Sequence, residues 1–245
     1  MNKTAIIIPS RLDAKRLPNK PIKLINNKEM ILHVYNAAVN SMAGEVYVAT
    51  PDQEIMEVLK KNGGKAILTS NNHETGTDRI FEVFKETLKN NVDIIVNLQG
   101  DMPNIQPQDI KKLIEYMYKN KCDIGTLASR ITSNSELEDQ NIVKVLVEKK
   151  LNPGIFNKAS DFVRKNPKTE LEVYHHVGIY AFTNKALLRY VSLKRSKLEI
   201  ERKLEQLRAM ENKMSIHVGL ISSSPLSVDT EKDLQEIKKL MEKNE

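Results

Sequence analysis

The sequence has a single cysteine, Cys122, no tryptophan, and aromatic side chains at only 5%. One thiol excludes an intramolecular disulfide and any multi-cysteine metal site, and points to a reducing, cytoplasmic setting. Scarce aromatics leave few platforms for stacked bases, so nucleic acid is not the expected partner despite a formal net charge of +6. The lysines are dispersed over helix faces, as at Lys111–Lys112, Lys238–Lys239 and Lys243, rather than gathered into a stripe. No run approaches the roughly 18 apolar residues that span a bilayer, and Ala5–Pro9 is too short for a secretory h-region, so no membrane partner is expected. The glycine patterns of a P-loop or a dinucleotide-binding turn are absent as well.

What remains has the make-up of a globular enzyme. The 245 residues, 40% hydrophobic and 29% charged, suffice for one large α/β domain. The first half alternates strand and helix. Ala5–Ile8, Glu45–Ala49, Ala66–Leu68 and Asp93–Leu98 read as strands, the first and last as apolar runs buried on both faces. Helical spacing marks Met30–Val39, Ile55–Leu59 ending at Gly63–Gly64, Ile80–Leu88, and a helix after Pro107 carrying Ile110, Leu113, Ile114 and Met117. This alternation predicts βαβ units and a mostly parallel sheet. The second half is less regular. Asp123–Ile131, Val143–Val147, Val177–Phe182 and Ser215–Leu220 read as strands, Lys197–Met210 and Thr230–Lys243 as helices, and Glu148–Tyr174 as a polar excursion without period. A single domain with a smaller lobe in the second half is expected.

In parallel sheets ligands bind beyond the carboxyl ends of the strands, which directs attention to four segments. Ser10–Lys20, SRLDAKRLPNK, places Arg11, Lys15, Arg16 and Lys20 on one loop, suited to a polyphosphate or, equally, simply a solvated basic surface. Val96–Ile105, VNLQGDMPNI, delivers Gln99, Gly100 and Asp101, where Gly100 permits close backbone approach and Asp101 is a hard ligand for magnesium or, equally, a helix cap. In SVDTEKDL, Asp229 is a second candidate ligand, with an N-cap by Asp229 or Thr230 as the plain alternative. The fourth segment, His73–Arg79 (HETGTDR), is a polar turn into a helix that either presents donors to a nucleotide or simply caps the helix. His33 and His217 read as packing residues, while the pair His175–His176 at a strand is of more interest. No zinc spacing and no nucleophile elbow occur.

Read in order, IIPSRLDAKRLPNKPI, HETGTDRIFEV, IVNLQGDMPNI, NIVKV, HHVGIYAF, LEQLR and VDTEKDL resemble the 3-deoxy-manno-octulosonate cytidylyltransferases, or CMP-Kdo synthetases, from Ile6 to about Leu234. The resemblance implies a Rossmann-like nucleotidyltransferase sheet, mostly parallel, over residues 1–245: a CTP-binding core in 1–130, a sugar-binding and dimerisation lobe in about 131–215, and a return to the core in 216–245. It implies transfer of CMP from CTP to 3-deoxy-D-manno-octulosonate (Kdo), with release of pyrophosphate, for lipopolysaccharide synthesis. Carried over by motif, Arg11, Arg16 and Lys20 would hold the triphosphate, and Thr75, Gly76, Thr77, Arg79, Gln99 and Gly100 would border the nucleotide. Asp101 and Asp229 would bind Mg²⁺ and, with Lys20, form the catalytic set. His176, Tyr180, Glu205 and Gln206 would line the sugar site, and the enzyme would be a homodimer.

Some positions depart from the family pattern. Met102 stands for a glutamate, Asn19 for a glycine, Lys158 for an arginine within FNKASDF, and Arg202 for a second glutamate. The alternative these leave open is a cytidylyltransferase for another acidic sugar, sialic-acid-like or amino-substituted. A non-catalytic nucleotide sensor on this fold would have lost its metal ligands, and both aspartates are retained.

Overall fold

The computed structural model describes residues 3–89 and 91–242. Chain order is β1 (Thr4–Pro9), the hairpin β2 (Leu24–Ile25) and β3 (Lys28–Glu29), α1 (Met30–Asn40), β4 (Glu45–Thr50), α2 (Gln53–Lys61), β5 (Ala66–Leu68), α3 (Gly76–Glu82), β6 (Ile94–Leu98) and α4 (Pro107–Lys119). There follow β7 (Ile124–Arg130), α5 (Asn134–Glu138), β8 (Lys144–Val147), β9 (Phe156–Val163), β10 (Glu172–Thr183), α6 (Asn184–Ser192), α7 (Lys197–Arg202), α8 (Gln206–Glu211), β11 (Ile216–Leu220) and α9 (Glu231–Glu242). Lys243, placed in the closing helix by the sequence pattern, lies outside the described residues.

Two compact units emerge, one made of Met1–Lys111 with Pro225–Glu245, the other of Lys112–Ser224. In the first unit the strands run β5-β4-β1-β6 and every pairing is parallel. Thr4–Ile8 and all of β6 are buried, as continuous apolar runs require when both faces are covered. Turn chemistry stops the elements where expected: Gly63 takes φ 70 just after α2, and Asn19 takes φ 58 before a short 3-10 turn at Lys20–Ile22. Leu17, from the basic loop, is buried with Ile25, Met30, Val228, Leu234 and Ile237, so the loop and the C-terminal helix share one apolar cluster.

The second unit corrects the expectation of a mostly parallel sheet. Its strands run β10-β7-β11-β9-β8, and β8 pairs again with β10, closing a five-stranded ring. Within it only β7 and β11 are parallel. Closure removes exposed strand edges, which a small antiparallel unit otherwise has to protect. The excursion Glu148–Tyr174 contains β9, which lacks an alternating pattern because only Ala159 and Phe162 face fully inward and its pairing with β8 carries a register shift. Lys197–Met210 is not one helix. Lys203 adopts φ 54 and ends α7, and α8 starts anew at Gln206.

Candidate active site

The loop after β1 is held at three points. Leu12 N–H donates to Asp52 Oδ2 at 2.7 Å, Leu17 is buried, and Asn19 makes the left-handed turn. These restraints deliver Lys20 between two carboxylates: its Nζ is 3.0 Å from Asp101 Oδ2 and 3.0 Å from Asp229 Oδ1. Arg16 Nη2 reaches the other oxygen of Asp229 at 2.9 Å. A backbone bond from Val228 N–H to Asp101 C=O, 2.9 Å long, draws the two distant segments together. Burial alone would lower the Lys20 pKa, but the charges and hydrogen bonds of Asp101 and Asp229 outweigh it and hold the ammonium above its ordinary value.

The capping alternative for Asp229 does not hold. Thr230, not Asp229, caps α9: Asp233 N–H donates to Thr230 Oγ1 at 3.3 Å, while the Asp233 carboxylate accepts from the N–H groups of Asp229 and Thr230 at 3.0 and 2.8 Å. That reciprocal cap frees the Asp229 side chain for the cations, and Asp101 likewise turns to Lys20 rather than to a helix end. Among the described residues no group of three or more His, Cys, Asp or Glu could hold a metal. Two convergent carboxylates still fit a hard divalent cation whose remaining ligands are phosphate oxygens and water.

Around this cluster lies a cavity of about 360 Å³, with Arg11, Lys15 and Arg16 on one part of its wall and Thr75, Gly76 and Gln99 on another. The HETGTDR turn works chiefly as a capped helix start. Thr75 Oγ1 accepts from Asp78 N–H at 3.1 Å and donates to the Asp78 carboxylate at 2.8 Å. Thr77 does not line the cavity; it is buried, and its hydroxyl accepts from Asn97 Nδ2 at 3.3 Å. Asn97 Oδ1 in turn accepts from Gln99 Nε2 at 3.0 Å, which orients the Gln99 amide. Asn97 escaped the sequence reading although a lone amide inside the buried run DIIVNL was its signal. Arg79 borders the cavity, but one guanidinium nitrogen is tied to Thr69 Oγ1 and the Ser70 carbonyl. Gly100 lines the cavity and is also tightly packed, because a Cβ there would meet Ile31 at 3.3 Å and Ile8 at 3.4 Å. It lets β6 leave the sheet tightly against β1.

In the second unit, β10 slips register against β7 between Val177 and Tyr180, and this irregularity sits on HVGIY. Thr126 Oγ1 donates to the Ile179 carbonyl at 2.7 Å and so accepts from His176 Nε2–H at 3.0 Å. That fixes the His176 tautomer and leaves Nδ1 as an acceptor. The His176 and Tyr180 rings lie 5.3 Å apart, and burial, with Tyr190 and then Glu205 (just before α8) adding to it, raises the Tyr180 phenol well above its ordinary pKa. Glu205 is fixed by its carbonyl, which accepts from Tyr190 Oη at 2.9 Å, and Gln206 beside it is buried. His175 points elsewhere, with Nδ1 2.6 Å from Glu136 Oε1. His33 and His217 are packing residues as expected, bonded to the Ile25 carbonyl at 2.9 Å and the Tyr116 hydroxyl at 2.6 Å.

Burial, with the nearby His175 adding to it, pushes the His176 pKa down from 6.5 to about 3. The neutral ring is the folded form, so between those values the unfolded chain binds the extra proton. Stability is therefore expected to fall as pH drops below 6.5, by up to about 1.4 kcal/mol per pH unit, and to level off near pH 3. Denaturant unfolding at about pH 7 and about pH 5 measures this slope. His176→Gln should flatten it, and an equal slope in the variant would contradict the assignment.

A family model described as cytidylyltransferase matches residues 5–216. The 3-deoxy-manno-octulosonate cytidylyltransferase of Rhodopseudomonas palustris (strain BisB18) is 40% identical over 244 residues, covering 98% of each chain. The chain belongs to the 3-deoxy-manno-octulosonate cytidylyltransferase family. A solved CMP:2-keto-3-deoxy-manno-octonic acid synthetase, complexed with CTP, is 35% identical, covers 100% of both chains and superposes with a TM-score of 0.91. The 4-diphosphocytidyl-2C-methyl-D-erythritol synthase of Anaerococcus prevotii DSM 20548, 12% identical with 98% and 99% of the chains covered and a TM-score of 0.67, shares the fold alone.

Of the positions that depart from the pattern of the 3-deoxy-manno-octulosonate cytidylyltransferase family, Arg202 has a local partner. Arg202 Nη1 lies 2.9 and 2.8 Å from the two oxygens of Asp161, and 3.2 Å from the Phe162 carbonyl, so an arginine on α7 and an aspartate of FNKASDF answer each other. Met102 is buried. Lys158 is exposed on β9, opposite His217 in register.

Proposed function

We propose that this chain transfers CMP from CTP to Kdo, giving CMP-Kdo for lipopolysaccharide synthesis. The anomeric hydroxyl of Kdo attacks the α-phosphorus and gives up its proton to solvent, while the bond from the α-phosphorus to the α–β bridging oxygen breaks and pyrophosphate leaves with the electron pair. The observation that carries this reading is the meeting of Lys20, Asp101 and Asp229 at 3.0 Å, beside a loop that also brings Arg11, Lys15 and Arg16 to the cavity.

Transfer to and from phosphorus asks a protein for positioning and charge neutralisation rather than a covalent nucleophile. Arg11, Arg16 and Lys20 take the triphosphate oxygens, and Gln99, Gly76 and Thr75 border the nucleoside. Asp101 and Asp229 would hold Mg²⁺, which when bound would neutralise phosphate charge and make the attacking hydroxyl more acidic. In the sugar site His176 Nδ1 accepts from a hydroxyl, while Tyr180, Glu205 and Gln206 supply further hydrogen bonds. We assign residues 131–215 to sugar binding and to the contacts of a homodimer working in the cytoplasm. Among the described residues no helix is long and apolar enough to cross a membrane.

The reading is tested by pyrophosphate release from CTP with Kdo, a sialic acid and an amino-substituted Kdo as acceptors. Kdo should show the highest kcat/KM. Any other sugar outrunning it would overturn the Kdo assignment while leaving the cytidylyltransferase intact.

A further inference from the structure

Ser10 is the first residue beyond β1 and part of the cavity wall. Its N–H donates to the Ala49 carbonyl at 2.9 Å, and only 8% of the residue is exposed. The hydroxyl itself has no hydrogen-bond partner. Among the described residues just one other buried side-chain polar atom shares that condition, Asn26 Nδ2 in the β2–β3 turn. The remaining hydroxyls nearby are all engaged: Thr50 accepts from Asp52 N–H, Thr69 from Arg79, Thr75 from Asp78 N–H, and Thr77 from Asn97. A buried polar group left alone among satisfied neighbours calls for an explanation, and a ligand is one.

The surroundings of Ser10 indicate which part of a ligand. Pro9 precedes it, and its ring lies 3.1 Å from where a Gly76 Cβ would be, with the Gln99 amide 3.8 Å from the same point. Pro9, Gly76 and the Gln99 amide are uncharged, although Arg11 follows Ser10 in the chain and lines the same cavity. The charged pairs of Arg16, Lys20, Asp101 and Asp229 hang on the far end of the loop, beyond the anchor that Asp52 provides at Leu12. Charge suits phosphate, whereas a hydroxyl beside an amide suits the donors and acceptors of a ribose or a base. A serine χ1 has three staggered wells, so the hydroxyl of a residue in the cavity wall can turn to meet a ligand.

We propose that Ser10 is a nucleotide-binding residue, its Oγ hydrogen-bonding the nucleoside portion of CTP and not the triphosphate. The assignment rests on the cytidylyltransferase reading of the cavity. The serine hydroxyl is satisfied only in the complex, so the free protein bears its desolvation and the bound protein does not.

Calorimetric titration of the unaltered protein and of Ser10→Ala, each with CTP and with inorganic tripolyphosphate, tests this together with thermal melting of the free proteins. In Ser10→Ala the Kd for CTP should rise about tenfold, the size of one neutral hydrogen bond, while the Kd for tripolyphosphate stays the same. The free variant should melt at the same temperature or higher, because alanine removes only the unpaired group. An unchanged Kd for CTP would overturn the proposal, as would a marked fall in melting temperature, which would mean that the hydroxyl has a protein partner. Equal weakening of CTP and tripolyphosphate would overturn the nucleoside assignment. If the unaltered protein bound no CTP at all, the reading of the cavity would fail, an outcome distinct from these three.

Discussion

Asp101→Asn and Asp229→Asn are each expected to lower kcat/KM about 10³-fold or more while the protein stays folded. The size follows from the role: losing a metal ligand removes roughly 4 kcal/mol of transition-state stabilisation, since each tenfold is about 1.4 kcal/mol. The fold is spared because neither carboxylate is deeply buried, their side chains being 23% and 40% exposed. Either single change also leaves Lys20 with the remaining partner at 3.0 Å. Asparagine keeps the shape and hydrogen-bonding capacity of the side chain while deleting its charge, so a lost activity reports on charge. Steady-state kinetics with saturating Mg²⁺, alongside thermal melts, make the measurement. Full activity in both variants would remove the pair from the catalytic centre.

The largest stability effect is expected at Arg208→Met. Arg208 Nε and Nη2 grip the two oxygens of Glu199 at 2.8 and 2.6 Å, with side chains only 6% and 1% exposed. Glu199 also closes the capping box of α7, accepting from Ser196 N–H at 3.1 Å, so one carboxylate joins α7 to α8. Methionine would leave that carboxylate buried with, among the described residues, Arg195, itself half exposed, for a counter-charge. Stranding one member of such a pair costs about 3–5 kcal/mol, a drop in Tm of roughly 10 °C for a chain of this size. Adding Glu199→Leu should recover part of the loss, because no charge is then stranded. Burial alone would raise the Glu199 pKa, but the hydrogen bonds from Arg208 and Ser196 hold it below the ordinary carboxylate value. The pair's contribution is present above that ordinary value and is lost as pH falls through the lowered one. A double variant less stable than Arg208→Met would contradict this account.

How much of this was legible in the sequence depended on how local its cause was. The parallel half was readable because β1 and β6 are buried on both faces and appear as unbroken apolar runs, and Gly63 punctuates α2 unambiguously. The closed antiparallel ring was not, because β9 buries little and is defined by its partners β8 and β11. The break at Lys203 was hidden because a lysine carries no signal for the left-handed φ of 54 it adopts, where its N–H closes α7 on the Glu199 carbonyl. In the site, residue types at strand ends marked Lys20, Asp101 and Asp229 as candidates. That Thr230 takes the cap and releases Asp229 depended on Asp233, a competition the sequence left open. Ser10 carries no pattern at all; only the exhaustion of its neighbours' hydrogen bonds singles it out.

The central claim, that Kdo attacks the α-phosphate of CTP at this centre, is tested most directly by following the label from CTP radiolabelled at the α-phosphate in a reaction with Kdo and Mg²⁺. The prediction is that the label moves into a sugar-linked CMP, stoichiometric with unlabelled pyrophosphate, and that both products depend on Kdo. Label recovered as CDP, or as free CMP formed equally without Kdo, would contradict it.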